Sequence, residues 1–375
     1  MNTTSYWLAE PRERLAGPRR TDGAVDVVVI GGGVTGCSCA LTLAERGVRV
    51  ELHEAREVAA GASGRNGGFA LRGGAMPYEH RYAPLWRLTE AALDRLEQLA
   101  GDAFDRVGSL RLAVDGAERD ALEREYAALR EDGFDAEWVE PLPGRLGRLF
   151  TAALVHPGDG SLQPARWVRR LAARASAAGA VVLEHSPVRV EDVDAPAVVV
   201  AVDASTAELL PELGGLVSPQ RGQMLATAPL AERIFERPHY AREGYDYWQQ
   251  LRDGRLVVGG KRDVSLATEA THVEETTALV QGELEALVVE LVGWLPPVAY
   301  RWAGVWGETP DRLPLVGRLP TRENVWIAGG YSGHGNVLGL ACGELVARAV
   351  LGETPDALRL FDPARSELDA LHVAD

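Results

Sequence analysis

The chain has 375 residues, 46% of them apolar, and a formal net charge of −15 at pH 7. That length exceeds what one simple core supports, so we expect two domains, and the apolar fraction is enough to build both. The excess of acids counts against a nucleic-acid partner, because binding a phosphate backbone requires clustered cations.

The sequence also argues against a membrane partner and a disulfide framework. It has no uninterrupted apolar run on the order of 18 residues, and its N-terminus lacks the apolar core and cleavage site of a secretory signal. The three cysteines, Cys37, Cys39 and Cys342, are too few for a disulfide-stabilised fold, which predicts a cytoplasmic setting. Cys37 and Cys39 point in different directions on a predicted helix, so we interpret them as packing residues rather than a redox pair. We predict no metal site.

Residues 1–24 are predicted to form an irregular lead-in, because Pro11 and Pro18 limit helix formation. Tyr6 and Trp7 are expected to anchor this segment to the body of the protein.

Residues 25–54 have the pattern of a strand, a glycine-rich turn, a helix and a second strand. Gly31 permits the tight turn, Gly33 lets the backbone approach a pyrophosphate, and Gly36 lets the helix pack close to the strand. The first turn of the helix then points unpaired N–H groups at the phosphates. The pattern therefore predicts dinucleotide binding, with a structural βαβ unit as the alternative.

Glu54 follows the second strand, where a carboxylate can accept both ribose hydroxyls of an ADP group. A glutamate at this point disfavours a phosphorylated 2′ position, so FAD or NAD fits better than NADP. Next comes GASGRNGGF at residues 61–69. Glycine this dense beside a nucleotide site indicates backbone that passes close to a ligand, unless the segment is a flexible surface loop.

The middle of the chain alternates predicted helices and strands before its pattern changes. From residue 218 to residue 263, short apolar runs separated by turn signals predict an antiparallel sheet. Residues 324–351 then form a predicted strand, a glycine-rich loop and a long helix. The N-terminus of that helix is a second positive dipole end. The other predicted helices span 83–99, 120–130, 164–178 and 274–291, and the other predicted strands span 109–114, 181–183, 188–190, 197–202 and 300–306.

Four motifs, taken in order, resemble those of the D-amino-acid-oxidase-like superfamily of FAD-dependent amine oxidoreductases, which includes glycine and sarcosine oxidases and γ-glutamylputrescine oxidase. They are VVVIGGGVTGCSCALTLAERG, GASGRNGG, RWAGVWGETPDRLPLVG and GGYSGHGNVLGLACGELVARAVLG. The similarity covers residues 5–363, and the opening Ser-Tyr-Trp and the GASGRNGG loop are most similar to the γ-glutamylputrescine oxidase-like branch.

The resemblance implies an α/β fold in which a Rossmann-like FAD-binding domain of the glutathione-reductase type carries an inserted α+β substrate domain built on an antiparallel sheet. We expect the discontinuous FAD-binding domain to comprise 1–85, 150–217 and 305–375, and the substrate domain to comprise 86–149 and 218–304.

The same resemblance implies the residues that hold FAD. In this family the helix after the GGYSGHG motif points its dipole at the flavin N1/C2=O edge, where reduction places negative charge. His334 would add a donor there or would only brace the loop. The implied cofactor-binding residues are Gly31, Gly33, Val34, Thr35, Gly36, Glu54, Ala55, Arg56, Gly61, Ala62, Ser63, Arg65, Asn66, Gly67, Gly68, Val188, Gly304, Gly330, Tyr331, Ser332, Gly333, His334, Gly335 and Asn336.

Departures from the family pattern bear on attachment and substrate. Some sarcosine oxidases carry the flavin on a cysteine whose matching position is Gly304 here, and no histidine lies between Glu54 and Gly68, so we expect non-covalent FAD. Those oxidases also hold the substrate carboxylate with an arginine and a lysine, whose matching positions are Gly68 and Val337. Because an unpaired buried carboxylate costs several kcal/mol, this favours an amine without a carboxylate beside the reacting carbon. The candidates for a replacement cation are Arg72, Arg221, Arg242 and Lys261, each of which can instead be a surface cation.

Aromatic residues are the candidates for a substrate pocket, because such a pocket lowers the pKa of an amine and suits alkylammonium groups. Each can instead be a core residue. Lys261 is expected either to approach the flavin and stabilise superoxide or to be exposed. The candidate lining residues are Tyr240, Tyr245, Tyr247, Trp248, Trp302 and Trp306, and the predicted catalytic residues are Lys261, His334, Tyr247 and Trp306.

These features predict an FAD-dependent oxidase of an aliphatic or γ-glutamylated amine. Hydride transfer to flavin N5 would give an imine, which hydrolyses to an aldehyde or keto product, while O2 becomes H2O2. The alternatives are a glycine- or sarcosine-type or other amino-acid oxidase, and a dehydrogenase with another electron acceptor. A flavin-binding sensor or part of a tRNA-modifying assembly is also open, and the net charge weakens the latter. We expect a monomer or homodimer.

Overall fold

The protein is described by a computed structural model that covers residues 4–12, 24–80 and 82–365. Residues 13–23 of the predicted lead-in lie outside this range. Within the described part, Trp7 is buried and its Nε1 donates to the Asn66 carbonyl oxygen at 2.7 Å. The Tyr6 hydroxyl donates to Asp253 Oδ2 at 3.0 Å. Both aromatic residues therefore anchor the lead-in.

The described residues form 17 strands and nine α-helices. The strands are β1 (Val27–Ile30), β2 (Val50–His53), β3 (Phe69–Ala70), β4 (Phe104–Asp105), β5 (Ser109–Ala113), β6 (Glu137–Val139), β7 (Ala152–His156), β8 (Gly160–Leu162), β9 (Val181–Leu183), β10 (Ala197–Val200), β11 (Ser218–Thr227), β12 (His239–Ala241), β13 (Asp246–Gln250), β14 (Leu256–Gly260), β15 (Val298–Glu308), β16 (Leu315–Arg318) and β17 (Val325–Gly329). The helices are α1 (Val34–Glu45), α2 (Ala83–Ala100), α3 (Gly116–Glu131), α4 (Leu146–Leu149), α5 (Pro164–Ala177), α6 (Thr206–Leu209), α7 (Leu266–Glu269), α8 (Ala278–Val292) and α9 (Gly335–Val350).

The first sheet has six strands in the order β16-β17-β10-β1-β2-β9. All neighbours run parallel except β16 and β17. Every residue of β1 is buried, as expected for a central parallel strand covered on both faces. Helices α1, α5 and α9 pack together and contribute to one hydrophobic core. Since β1 and β17 both flank β10, the two glycine-rich loops that follow them open at the same edge of the sheet.

The second sheet has eight strands in the order β15-β11-β14-β13-β12-β5-β7-β6. Its neighbours are antiparallel except the parallel pair β5 and β12. Helix α8 packs against one face, where a second hydrophobic core forms. A small third sheet, β3-β8-β4, joins the N-terminal glycine loop to this part of the chain. The α/β fold class is confirmed, including the antiparallel sheet from residue 218 to residue 263.

Several predicted elements differ from the structure in their bounds or type, and two of these differences have a clear local cause. Residues 188–190 were expected to form a strand, but Val190–Asp192 form a 3-10 turn in which Asp192 N donates to the Arg189 carbonyl. Pro187 before the segment and two acids at its end favour a turn over strand pairing. Helix α8 begins at Ala278 rather than residue 274, because the Thr277 side chain caps it by accepting from Val280 N.

The proposed domain boundaries cut across some of these elements. Strand β7 pairs with β5 and β6 in the eight-stranded sheet, although residues 150–217 were assigned to the FAD-binding domain. Helix α2 packs mainly on α9 and α5, although its Trp86 also contacts His156 of β7. The two-domain division remains a proposal. A division that follows the packing would assign β7 to the substrate domain and α2 to the FAD-binding domain.

Other sequence expectations concern membranes and cysteines. None of the helices in the described ranges is both long and apolar enough to cross a bilayer. Cys37, Cys39 and Cys342 are all free and buried, and burial raises the pKa of each thiol. The two cysteines of α1 are therefore packing residues, as interpreted from their spacing.

Buried neutral histidines are expected to make the protein acid-sensitive. Burial lowers the pKa of His156 and of His239 to about 3, and that of His334 to about 4. Below the ordinary pKa of about 6.5 the unfolded chain binds these protons and the folded chain does not, so stability is lost as pH falls toward the folded values. Each histidine then contributes a slope of about 1.4 kcal/mol per pH unit.

Replacing His239, which stacks on Trp248 at 5.2 Å, by phenylalanine removes one of these protons. Urea unfolding between about pH 6.5 and about pH 4 should then show a shallower fall in the free energy of unfolding than the wild type shows. Above that window the two proteins should differ only by a constant offset. If the free energy of unfolding of the two proteins fell equally with pH across this window, the prediction would be contradicted.

Candidate functional site

The turn between β1 and α1 accepts only glycine at two positions. Gly31 has φ +113°, and a Cβ there would lie 2.3 Å from the Ala201 carbonyl oxygen. A Cβ on Gly36 would lie 1.9 Å from the Gly31 carbonyl oxygen. The close crossing of strand and helix leaves the N-terminus of α1 open at the edge of the sheet, where its N–H groups can face an anion.

The second glycine-rich loop lies against this helix N-terminus. The Ser63 hydroxyl accepts from Val34 N at 3.0 Å. A Cβ on Gly33 would lie 2.9 Å from the same hydroxyl oxygen. Ser63 of this loop therefore lies against the N-terminus of α1, where a phosphate would compete for the same N–H group, and contact between residues 61–69 and a ligand remains a prediction.

Glu54 is fixed at the end of β2 by two backbone groups. Its Oε2 accepts from Gly32 N and its Oε1 accepts from Arg56 N, both at 2.7 Å. The carboxylate thus lies beside the glycine turn, as the dinucleotide pattern requires. The Arg56 guanidinium instead binds Glu274, with Nη1 to Oε2 at 2.6 Å.

The loop after β17 is held by a residue that sequence reasoning missed. Asp203 is partly buried, and desolvation raises the pKa of its carboxyl group. Its Oδ1 accepts from Gly330 N at 2.8 Å, and its Oδ2 accepts from Gly307 N at 2.9 Å. The available signal was a carboxylate soon after a parallel strand, where ligand-side residues of such sheets lie.

Replacing Asp203 by asparagine should loosen this loop. The amide offers one acceptor oxygen instead of two, so either Gly307 N or Gly330 N would face an NH2 group. We expect the free energy of unfolding to fall by about 1–3 kcal/mol and the affinity for FAD to weaken, measured by urea unfolding and by flavin fluorescence titration. The exposed Asp192→Asn variant is the control. An unchanged free energy of unfolding together with an unchanged affinity for FAD in Asp203→Asn would show that Asp203 does not brace the loop.

Side-chain hydrogen bonds join the three glycine-rich segments. Thr35 Oγ1 donates to the Tyr331 hydroxyl at 2.8 Å. Asn66 and Asn336 exchange two amide hydrogen bonds, each at 3.1 Å. Asn336 Nδ2 also donates to the Phe69 carbonyl at 2.8 Å. The structure therefore brings together residues that lie about 270 positions apart in the sequence.

The face of the second sheet carries Tyr247 and Trp306 over these loops. A Cβ on Gly67 would lie 3.2 Å from the Tyr247 ring, which shows that this ring covers the N-terminal glycine loop. A Cβ on Gly222 would lie 2.7 Å from Trp306 Cζ3 and 3.5 Å from the Tyr247 hydroxyl. Both aromatic residues thus border one space over the backbone of Gly222, and their role in a substrate site remains a prediction.

Two buried polar atoms at this space have no partner among the described residues. They are His334 Nδ1 and Trp306 Nε1. A Cβ on Gly333 would lie 3.8 Å from Trp306 Nε1, so both atoms adjoin the C-terminal glycine loop. His334 is a neutral imidazole, because burial lowers its pKa to about 4. Leaving such atoms unpaired costs about 1–3 kcal/mol each, so their arrangement indicates a ligand with polar edges.

Other predicted residues are placed differently. Lys261 Nζ lies 3.0 Å from the fully buried Asp246, which also binds Arg242, so its ammonium is held in an ion pair. Its role beside a flavin remains a prediction. Val188 packs against the hydrophobic cluster around β10, and its contact with adenine also remains a prediction.

Two of the aromatic candidates belong to cores. Trp248 lies on the opposite face of the second sheet, stacked on His239 and fully buried, so it does not line this space. Trp302 is also fully buried and donates Nε1 to the Arg65 carbonyl at 2.9 Å. At Gly304 an added Cβ would lie 2.8 Å from Arg65 Cβ. A cysteine at position 304 would thus meet Arg65, which supports the expectation of non-covalent attachment.

Two helix N-termini at one edge of the sheet, a carboxylate fixed beside the first glycine turn, and glycines at 31 and 36 where a Cβ would meet backbone oxygen are the features of a dinucleotide-binding protein of the two-dipole type found in flavoproteins. Comparison with known proteins leads to the same class of protein. The chain belongs to the DAO family of FAD dependent oxidoreductases, whose pattern matches residues 26–349.

Individual relatives show the same likeness. The chain is 28% identical to gamma-glutamylputrescine oxidoreductase of Escherichia coli (strain K12), over 94% of this chain and 90% of the relative. It is 27% identical to glycine oxidase of Geobacillus kaustophilus (strain HTA426), over 87% of this chain and 92% of the relative. L-proline dehydrogenase from P. horikoshii has the same fold, with a TM-score of 0.77 at 22% identity, covering 92% of this chain and 98% of that structure. The predicted superfamily and enzyme class are confirmed.

The residues present fit FAD. The N-terminus of α1 and Glu54 suit the ADP half, whereas the loop at 330–336 and the orphaned atoms of His334 and Trp306 suit the polar edge of a flavin ring. FAD is therefore the cofactor of this family site, as predicted.

Proposed function

We propose that the protein oxidises a small amine to an imine, with an aliphatic or γ-glutamylated amine favoured, and that O2 is the electron acceptor. The observation that carries this proposal is the space bordered by Tyr247 and Trp306, with unpaired His334 and Trp306 atoms on one side. FAD held by the N-terminus of α1 and the loop at 330–336 would supply two-electron oxidation of the carbon–nitrogen bond, with O2 reduced to H2O2. Water would hydrolyse the resulting imine to a carbonyl compound and ammonia or a smaller amine.

The chain's own residues would position and desolvate the amine. Burial raises the pKa of Tyr247 to about 12, so its hydroxyl stays protonated and can donate a hydrogen bond. Aromatic walls lower the pKa of an amine by removing water from its charged form, which favours the neutral amine that the reaction requires. The ring faces of Tyr247 and Trp306 would restrict where the carbon chain can lie.

The partly buried His334 would act on the cofactor side. As a neutral imidazole it can present one N–H donor, and its place immediately before α9 adds to the positive end of that helix. Both features would stabilise negative charge next to the loop at 330–336.

The test is an anaerobic panel of amines mixed with the FAD-loaded protein. Loss of the visible absorbance of oxidised flavin with alkyl or γ-glutamylated amines, but not with glycine or sarcosine, is the expected result. Rapid reoxidation on mixing with O2, with H2O2 formed in equal amount, would support the oxidase assignment. Reoxidation much slower than turnover would instead favour a dehydrogenase, and reduction by glycine or sarcosine alone would favour the amino-acid oxidase alternative.

We also propose a cytoplasmic setting, supported by three cysteines that are all free and buried. The oligomeric state, monomer or homodimer, stays a prediction that sedimentation of the purified protein would decide.

A further inference from the structure

The positions at which related oxidases hold a substrate carboxylate offer no cation here. Gly68 has φ +73°, and a Cβ there would lie 2.6 Å from the Leu162 carbonyl oxygen and 2.7 Å from Gln249 Nε2. No longer side chain fits at that point without moving both. Val337 is buried within α9. A substrate carboxylate, if one is recognised, must therefore be met elsewhere.

The replacement cations considered from the sequence are each held by a carboxylate. All of these pairs involve buried or mostly buried atoms, so releasing the cation would strand a charge. The pairs are Arg72 with Asp159 and Glu90, Arg221 with Glu269, and both Arg242 and Lys261 with Asp246. Arg111, on the same face of the second sheet as Tyr247, is likewise paired with Glu125.

Arg262 differs from these cations in both its contacts and its surroundings. Its guanidinium carbon lies 5.5 Å from the Tyr245 ring centroid and 5.4 Å from that of Trp306. Nη1 donates to Gln220 Oε1 at 2.9 Å, and Nη2 makes a single longer contact with Glu308 at 3.3 Å. Of its five N–H groups, only these two have an acceptor among the described residues, and the side chain is 19% exposed. The remaining three N–H groups have no acceptor among the described residues, so they are available to a ligand.

The Tyr247 hydroxyl borders the same space. The Tyr247 hydroxyl and the Trp306 ring both approach the Cβ position of Gly222, and the Arg262 guanidinium lies over that Trp306 ring. In accord with this geometry, the Arg262 charge lowers the pKa of the Tyr247 phenol against the larger effect of burial. The hydroxyl has no hydrogen-bond partner among the described residues. A guanidinium with open donors beside a tyrosine hydroxyl is a receptor for a carboxylate, which accepts a forked pair of N–H groups and an O–H group.

Trp306 separates this receptor from the cofactor loop. One edge of its indole adjoins Gly333, at 3.8 Å from the Cβ position, whereas the ring face carries Arg262. A carboxylate on Arg262 is thus about one indole ring away from the loop beside which the reacting carbon must lie. The receptor suits a carboxylate separated from the amine by several bonds, not one on the reacting carbon.

We propose that Arg262, with Tyr247, is the specificity-determining pair of this enzyme and recognises a carboxylate at the far end of an amine substrate. This inference rests on the proposed function and narrows its substrate to an amine whose chain ends in a carboxylate, as ω-amino acids and γ-glutamylated amines do. Glu308 competes for Arg262 when substrate is absent, and the substrate carboxylate would replace that single contact by a forked one.

The experiment uses the FAD-loaded protein and matched pairs of probes. γ-Aminobutyrate is compared with n-butylamine, and δ-aminovalerate with n-pentylamine, for kcat/KM; butyrate is titrated as a non-reacting ligand by its perturbation of the flavin spectrum. We expect the carboxylate-bearing amine to exceed its partner by about 10- to 100-fold, the range of a charged hydrogen-bonded contact. Arg262→Met should abolish that ratio and the butyrate response, and Arg262→Lys should retain only part of both.

Two further variants control the interpretation. Arg322→Met removes a partly exposed arginine paired with Glu212 and should keep the wild-type ratio. Glu308→Gln removes the competing carboxylate and should tighten butyrate binding, which tests the proposal even if Arg262→Met loses FAD. A ratio near one in the wild type, an equal ratio in wild type and Arg262→Met, or weaker butyrate binding in Glu308→Gln would each overturn it.

Failure of this inference can be told apart from failure of the proposed function. If amines reduce the flavin without any preference for a distant carboxylate, the oxidase proposal stands and the role of Arg262 is overturned. If no amine reduces the flavin but butyrate perturbs its spectrum, and Arg262→Met removes that response, the receptor stands and amine oxidation is overturned.

Discussion

Gly36→Ala is expected to yield no FAD-loaded protein. The added Cβ would lie 1.9 Å from the Gly31 carbonyl oxygen, far inside van der Waals contact, and both atoms belong to rigid backbone. Relief requires α1 to move away from β1, which displaces the N–H groups that face the pyrophosphate. The flavin absorbance of the purified protein and its soluble yield measure the effect, and both should fall to the level of background.

Gly282→Ala is the matched control for this substitution. Gly282 lies inside α8, and nothing is within 4 Å of its Cβ position. Alanine there should stabilise the protein by about 0.5–1 kcal/mol, since glycine is the poorer helix former, and should leave FAD content unchanged. Wild-type FAD content in purified Gly36→Ala would show that the turn can adjust and would refute the steric argument.

The second large effect is expected from Arg221→Met. Arg221 is buried and binds the fully buried Glu269 through two N–H groups, with both contacts at 2.8 Å. Removing the guanidinium leaves the carboxylate without its charge partner, although Gln223 still donates to it at 3.1 Å. We expect the free energy of unfolding to fall by about 3–5 kcal/mol, as measured by urea denaturation.

A double variant separates the loss of packing from the stranded charge. Arg221→Met with Glu269→Leu removes both charges and should recover most of the lost stability, because a paired buried charge is close to neutral in net value. Arg322→Met at the exposed Glu212 pair should cost less than about 1 kcal/mol. A double variant no more stable than Arg221→Met would contradict the charge-based explanation.

Local patterns were sufficient to predict the part of the site made by short segments. The run from Val25 to Glu54 specifies its own strand, turn and helix, since each glycine acts on backbone within a few residues of itself. The loop at 330–336 was predicted for the same reason. Residues 188–190 show the limit of this reasoning, because an apolar run flanked by a proline and acids folds as a turn when no neighbouring strand pairs with it.

Contacts that depend on the pairing of strands distant in the sequence could not be predicted from local patterns. Asp203 braces two loops only because β10, β15 and β17 converge, and nothing near it in the chain indicates that convergence. Likewise Arg262 lies over Trp306 because β11 pairs with both β14 and β15. The partners of Arg221, Arg242 and Lys261 also depend on tertiary packing, so their availability to a substrate could not be judged from residue type.

The exchange of hydrogen bonds between Asn66 and Asn336 has a consequence for how the protein matures. The nascent chain emerges with its nucleotide turn complete after the first 54 residues, but the wall on the flavin side arrives only when β17 and α9 have been synthesised and have docked beside β10 and α1. Until then the cleft would lack its flavin side. We therefore expect cofactor capture to be a late event, which would couple acquisition of the yellow, redox-active state to completion of the polypeptide.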